Sequence, residues 1–137
     1  MDLLIDTNVL LDLVLKRENY QKVFELFLTI KSIGANAYIT ASAATDLFYV
    51  IRRQTHDVEM TYNIMERIFK MVSLLAVTSE DIEGAFYKKW KDFEDCVQYT
   101  TALNNHMSYI VSSNTKDFEE HGLQVITVSD FLEEHGL

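Results

Sequence analysis

Five short apolar runs with β-branched content recur along the chain: Leu3–Ile5, Ala37–Thr40, Leu74–Val77, Tyr109–Ser112 and Val125–Thr127. Runs of that length and character predict strands. Between them, Thr7–Lys16, Tyr20–Ile33, Ser42–Gln54, Val58–Met71, Ser79–Lys89 and Phe93–Asn105 carry apolar residues at three- and four-residue spacing, and a short helical segment follows near Ser129–Glu134. That spacing gives each segment an apolar stripe, as a helix packed on one side requires. Apolar strands separated by crossovers this long predict a parallel sheet of about five strands with helices on both faces, a three-layer α/β/α fold. In such sheets ligands bind beyond the carboxyl ends of the strands, so acids at those ends, or on the helices just after them, become the residues of interest.

The 137 residues include no proline and four glycines, with no low-complexity tract or shift in composition. One domain over residues 1–137 is the expectation. The string EEHGL occurs at 119–123 and 133–137, which predicts two helix ends stopped by glycine and not a structural repeat. Asp2, Asp6 and Asp12 interrupt the apolar N-terminal run, which has no basic leader, so neither a signal peptide nor a membrane span is expected. The single cysteine, Cys96, cannot form an internal disulfide and fits a reducing cytoplasm. With 21 acidic against 12 basic side chains the net charge is −9, which repels a polyanion unless basic patches or metal ions offset it. This argues against a passive nucleic-acid binder, but not against an enzyme whose acids hold divalent cations that meet a phosphate.

Several acids stand where such a site would be. Asp6 follows the first strand and precedes a helix, where it would also serve as an ordinary N-cap. Asp46 lies on the third helix, opposite Leu47 and Ile51, where helical periodicity alone makes it a solvated surface acid. Asp95 falls in DFEDCVQYTTAL, with Asp92 placed to cap the helix and Asp95 at the third position of a capping box. Asp117 ends SSNTKD, after the fourth strand and before an expected short helix anchored by Phe118. Three of the four stand at strand-to-helix junctions on one predicted sheet edge.

The opening LLIDTNVLLDLVLKRE, the segment DFEDCVQYTTALNNHMSYIVSSNTKDF and the spacing between them resemble the PIN domain, in particular the small prokaryotic PIN proteins that include VapC-type toxins. The resemblance covers essentially the whole chain. It implies a PIN-like fold and a ribonuclease dependent on Mg²⁺ or Mn²⁺, with Asp6, Asp46, Asp95 and Asp117 as catalytic and metal-holding acids. Asn8, Ser112 and Asn114 match the polar residues that support them. Asp46 stands where the family more often has Glu, and Ser112, Ser113 and Asn114 stand where relatives often have Thr-Arg-Asn. The resemblance further implies an RNA substrate, an antitoxin partner and a homodimer.

The chemistry suits those residue types. Phosphodiester hydrolysis needs a water made nucleophilic near neutral pH and charge to offset that on the phosphate, and carboxylate-held divalent ions provide both. Four acids suffice for one or two such ions, and without metal one or more of their pKa values should rise. His56, His106, His121 and His135 read as surface residues and Cys96 as a packing residue. Lys16, Arg17, Arg52, Arg53, Lys88, Lys89, Lys91 and Lys116 are the available basic rim. A receiver domain would need adjacent acids after the first strand and a lysine after the fifth, where this chain has Asp-Thr-Asn and Thr127-Val128. A haloacid-dehalogenase-type phosphatase would need Asp in place of Asn8. A PIN fold acting only as a binding module is the remaining alternative, and metal-dependent cleavage separates it from an enzyme.

Overall fold

A computed structural model describes residues 1–136. The elements run β1 (Asp2–Ile5), α1 (Thr7–Val14), α2 (Tyr20–Ser32), β2 (Asn36–Thr40), α3 (Ala41–Thr55), α4 (Val58–Met71), β3 (Ser73–Leu75), α5 (Ser79–Lys88), α6 (Phe93–Asn104), β4 (Tyr109–Val111), a 3₁₀ turn over Thr115–Asp117, β5 (Gln124–Ile126) and α7 (Val128–His135). The five strands form one sheet in the order β3-β2-β1-β4-β5, and every pairing is parallel. The five strands and the seven main helices expected from the sequence are present, with ends displaced by at most two residues, but the short helix expected after Asp117 is not formed.

Alternation along the strands divides the interior into two cores. Leu3, Ile5, Ala37, Ile39, Val111 and Ile126 face the layer built from α1, α2, α3, α4 and α7. Leu4 and Ile110 face the opposite layer, where α5 and α6 pack with Trp90, Phe118 and Leu123. Each fully buried Leu or Ile contributes about 1.5–3 kcal/mol relative to an exposed one, so both faces stabilise the sheet. The result is the three-layer arrangement expected from the pattern of apolar runs.

The EEHGL expectation fails at its first copy. Residues 119–122 form no helix end, because the 3₁₀ turn stops at Asp117 and Phe118 is buried. The segment is pinned from outside instead, by the Lys91 amide donating to Glu119 Oε2 at 2.7 Å and by a Lys88–Glu120 ion pair at 3.1 Å. Only the second copy ends a helix, α7, and Gly136 does so at φ −71 without a left-handed turn. No helix among the described residues is long and apolar enough to cross a membrane.

Candidate active site

The strand order reverses direction between β1 and β4, so the loops leaving their carboxyl ends part and open a crevice. The Asp6 amide donates to Val111 O at 2.9 Å and the Ser112 amide to Ile126 O at 2.9 Å, extending the ladder to the crevice floor. Asp6 occupies the N-cap position of α1, but its carboxylate makes no capping hydrogen bond. It is 3% exposed, and both oxygens are taken by other elements. Ser112 Oγ donates to Oδ2 at 2.7 Å and Gln98 Nε2 donates to Oδ1 at 3.2 Å. The capping alternative for Asp6 is therefore not the one the chain adopts.

Asp95 gives the same outcome by comparison with Asp81. Both sit at the third position of a helix whose N-cap side chain accepts their amide: Thr78 for α5 and Asp92, at 2.9 Å, for α6. Asp81 completes the capping box, its carboxylate accepting from the Thr78 amide at 3.0 Å and from Asn104 Nδ2 at 2.7 Å. Burial raises its pKa, but those hydrogen bonds together bring it below the ordinary value. Asp95 does not reciprocate toward Asp92, and among the described residues no donor holds its carboxylate. Burial pushes its pKa up to about 7, reinforced by the negative charges of Asp6, Asp92, Asp117 and Glu94. One helix start carries a structural acid and the other an unpaired one.

One carboxylate oxygen from each of Asp92, Asp95 and Asp117 lies within 4.8 Å of the other two. Asp117 is delivered by the 3₁₀ turn after β4, of which it is the last residue, rather than preceding a helix as the sequence predicts. Asp46 is exposed on α3 and meets the site through Glu94. Burial first, then the charge of Asp46 and a hydrogen bond shared with it, then Asp6 and Asp92, raise the Glu94 pKa to about 7. Of the supporting residues, Ser112 holds Asp6 and the Asn114 amide donates to Ser112 Oγ at 3.0 Å. Asn8 is half-buried and contributes no side-chain hydrogen bond among the described residues.

Three residues escaped the sequence reading as members of the site. Asp92 is legible in the sequence only as a cap, Glu94 only as a neighbour of Asp95 in the DFED string, and Gln98 not at all. A helical wheel would have found the last, since Gln98 lies three residues after Asp95 and four after Glu94 on one side of α6. Cys96, by contrast, is a buried packing residue whose thiol donates to Ala85 O at 3.5 Å and whose pKa burial raises. His56, His106 and His121 are exposed and His135 stacks on Phe131, with ring centroids 4.6 Å apart.

Among the described residues no Lys, Arg or His nitrogen lies within 4.0 Å of any of these site carboxylates. A set of oxygen donors this crowded, with two acids at pKa values near 7 and no protein cation to neutralise them, fits a hard divalent ion such as Mg²⁺ or Mn²⁺. Beside it opens a cleft of about 460 Å³ lined by Lys91, Asp92, Lys116, Asp117 and Glu119.

A carboxylate cluster at the switch point of a five-stranded parallel sheet defines an α/β protein with an acidic site at its sheet edge. The family model of the PIN domain matches residues 2–116, and the chain belongs to the PIN domain family. No curated protein matches the chain significantly. Among solved structures, VapBC2 from Rickettsia felis, bound to a DNA fragment from their promoter, contains a similar chain. The TM-score is 0.73 at 11% identity, over 93% of this chain and 98% of that one. VapBC-1 from nontypeable Haemophilus influenzae aligns with TM-score 0.73 at 16% identity, over 94% of this chain and 99% of that one. Mycobacterium tuberculosis VapC20, a sarcin-ricin loop cleaving toxin, aligns with TM-score 0.64 at 11% identity, over 79% and 86%. The shared feature at these identities is the fold.

Proposed function

We propose that the chain is a metal-dependent endoribonuclease and the toxin of a toxin–antitoxin pair. The observation that carries this is the unneutralised carboxylate cluster of Asp6, Asp92, Asp95 and Asp117 at the sheet edge, with Glu94 and Asp46 on its rim. Asp95 and Asp117 would hold a divalent ion, beside Asp92, whose carboxylate caps α6 by accepting from the Asp95 amide, and Asp6 and Asp46 would complete its surroundings. The chemistry supplied by such an ion is a water made nucleophilic near neutral pH and positive charge against the phosphate oxygens. Ser112 and Gln98 orient Asp6, and Asn114 orients Ser112. Asn8 flanks this group at the start of α1. The fold likeness to VapBC chains supports an antitoxin partner, and a cytoplasmic setting follows from an RNA substrate. Exposed Phe24 and Leu28 on α2, with Tyr62 and Phe69 on α4, support a homodimer.

The deciding experiment is cleavage of single-stranded RNA by the purified chain. Cleavage is expected with Mg²⁺ or Mn²⁺ and not with chelator. Equal cleavage in chelator would rule out the metal mechanism, and none under either condition would favour a binding module.

The cleft beside the cluster gives the substrate reading its own test. Lys91 and Lys116 line it and form no ion pair among the described residues. Lys91→Ala and Lys116→Ala should raise KM with little change in kcat. Each should also reduce the log–log salt slope of RNA binding by roughly 0.7, the value for one lost contact to a single strand. An unchanged slope would place the RNA elsewhere.

A further inference from the structure

Among the described residues Asp6 is the one acid of the cluster whose two oxygens are both engaged by side chains, and the two donors differ in character. Ser112 Oγ donates to Asp6 at 2.7 Å and accepts from the Asn114 amide at 3.0 Å, so the hydroxyl is used in both directions. Gln98 is 1% exposed and donates to Asp6 Oδ1 at 3.2 Å, while its Oε1 is buried with no hydrogen-bond partner. Only the amide NH₂ can donate to a carboxylate, so the partner fixes which end faces Asp6.

An unsatisfied buried acceptor destabilises a fold. Residues Asp95–Ala102 of α6 are all buried, so an apolar side chain of similar length would fit this position without that cost. The chain instead keeps an amide whose one made bond ends on the acid at the mouth of β1. Gln98 also lies one turn from Asp95, so that bond ties the acid of β1 to the acid of α6. Asp6 stands outside the trio of oxygens within 4.8 Å, and its orientation therefore decides whether it can serve the same ion.

We propose that Gln98 is a positioning residue for divalent-metal binding, acting through Asp6. The inference rests on the metal-dependent reading above. With a donor on each oxygen the Asp6 carboxylate cannot rotate, and it is presented to the ion already oriented, as outer partners of metal ligands do.

The test is Mg²⁺ affinity by titration calorimetry on the folded protein, for the parent, Gln98→Met and Gln98→Asn. Methionine matches the length without donating, and asparagine retains the amide but cannot reach Asp6. Both variants should bind Mg²⁺ on the order of 10–100-fold more weakly, with the Mg²⁺ concentration for half-maximal cleavage rising in parallel. Melting temperatures without metal should stay near that of the parent. A Gln98 that is merely structural would lower the metal-free melting temperature and leave Mg²⁺ affinity unchanged, which would overturn the proposal. If the Gln98→Met variant does not fold, unchanged affinity in Gln98→Asn suffices to overturn it. A parent with no Mg²⁺ affinity would instead defeat the metal reading and this inference with it.

Discussion

Asp95→Asn is expected to lower RNA cleavage by on the order of 10²–10³-fold while the protein stays folded. Among the described residues the carboxylate makes no hydrogen bond, and only the Asp95 amide is used, donating to Asp92. Losing it removes a charge from the proposed metal-holding cluster and no cap. A metal ion contributes several kcal/mol of transition-state stabilisation and each 1.36 kcal/mol is tenfold in rate, so partial loss of that contribution gives roughly the stated range. Asp92→Asn should do much less, because Asn retains the oxygen that accepts from the Asp95 amide. Asp81→Asn should do the reverse: activity per folded molecule is kept and stability falls, because the capping box and the bond from Asn104 are disturbed. Rates measured beside circular dichroism melts separate the three. An active Asp95→Asn with a dead Asp92→Asn would mean that the roles of these neighbours are exchanged.

The second large effect concerns stability against pH and metal. Asp95 and Glu94 have folded-state pKa values of about 7, above their ordinary 3.8 and 4.5. The folded chain therefore holds protons that the unfolded chain has released. Stability from this source is greatest at or below the unfolded pKa and is lost as pH rises from about 4 through about 7. Metal-free protein should melt at a higher temperature at about pH 5 than at about pH 7.5, and Asp95→Asn should flatten that dependence. At the higher pH a hundredfold excess of Mg²⁺ over its dissociation constant should add about 2.7 kcal/mol, a rise on the order of 10 °C for a domain of this size. At the lower pH protons compete for the same oxygens and the rise should shrink. A metal-free melting temperature that climbs steadily across that interval, with no response to Mg²⁺, would show that the carboxylates do not repel one another as described.

Much of the architecture was legible because the strand and helix periods are strong, down to which strand ends face the crevice. Candidate acids were legible through position: Asp6, Asp95 and Asp117 follow from strand-to-helix junctions, and Asp46 follows from resemblance to the PIN domain. What a linear sequence cannot display is where a carboxylate at a cap position spends its hydrogen bonds. Asp81 and Asp95 occupy equivalent slots, and the donors to their carboxylates, Thr78 and Asn104 against none among the described residues, distinguish them. Asp46 illustrates the opposite difficulty. Its helix face is polar by periodicity and exposed in the fold, and its link to the site runs through Glu94 from another helix. The first EEHGL segment misled because its glutamates serve Lys88 and the Lys91 amide, contacts made from 32 and 28 positions away.

The hydrogen bond from Ser112 to Asp6 joins residues 106 positions apart, and β1 has β2 and β4 as its neighbours in the sheet. During synthesis the chain emerges with β1, α1 and β2 long before α6 and β4 exist to close the crevice. An incomplete polypeptide still attached to the ribosome thus holds Asp6 and Asp46 but lacks the other half of the acidic cluster. With RNA as the proposed substrate, this topology withholds the complete acidic cluster until α6 and the turn after β4 have been made.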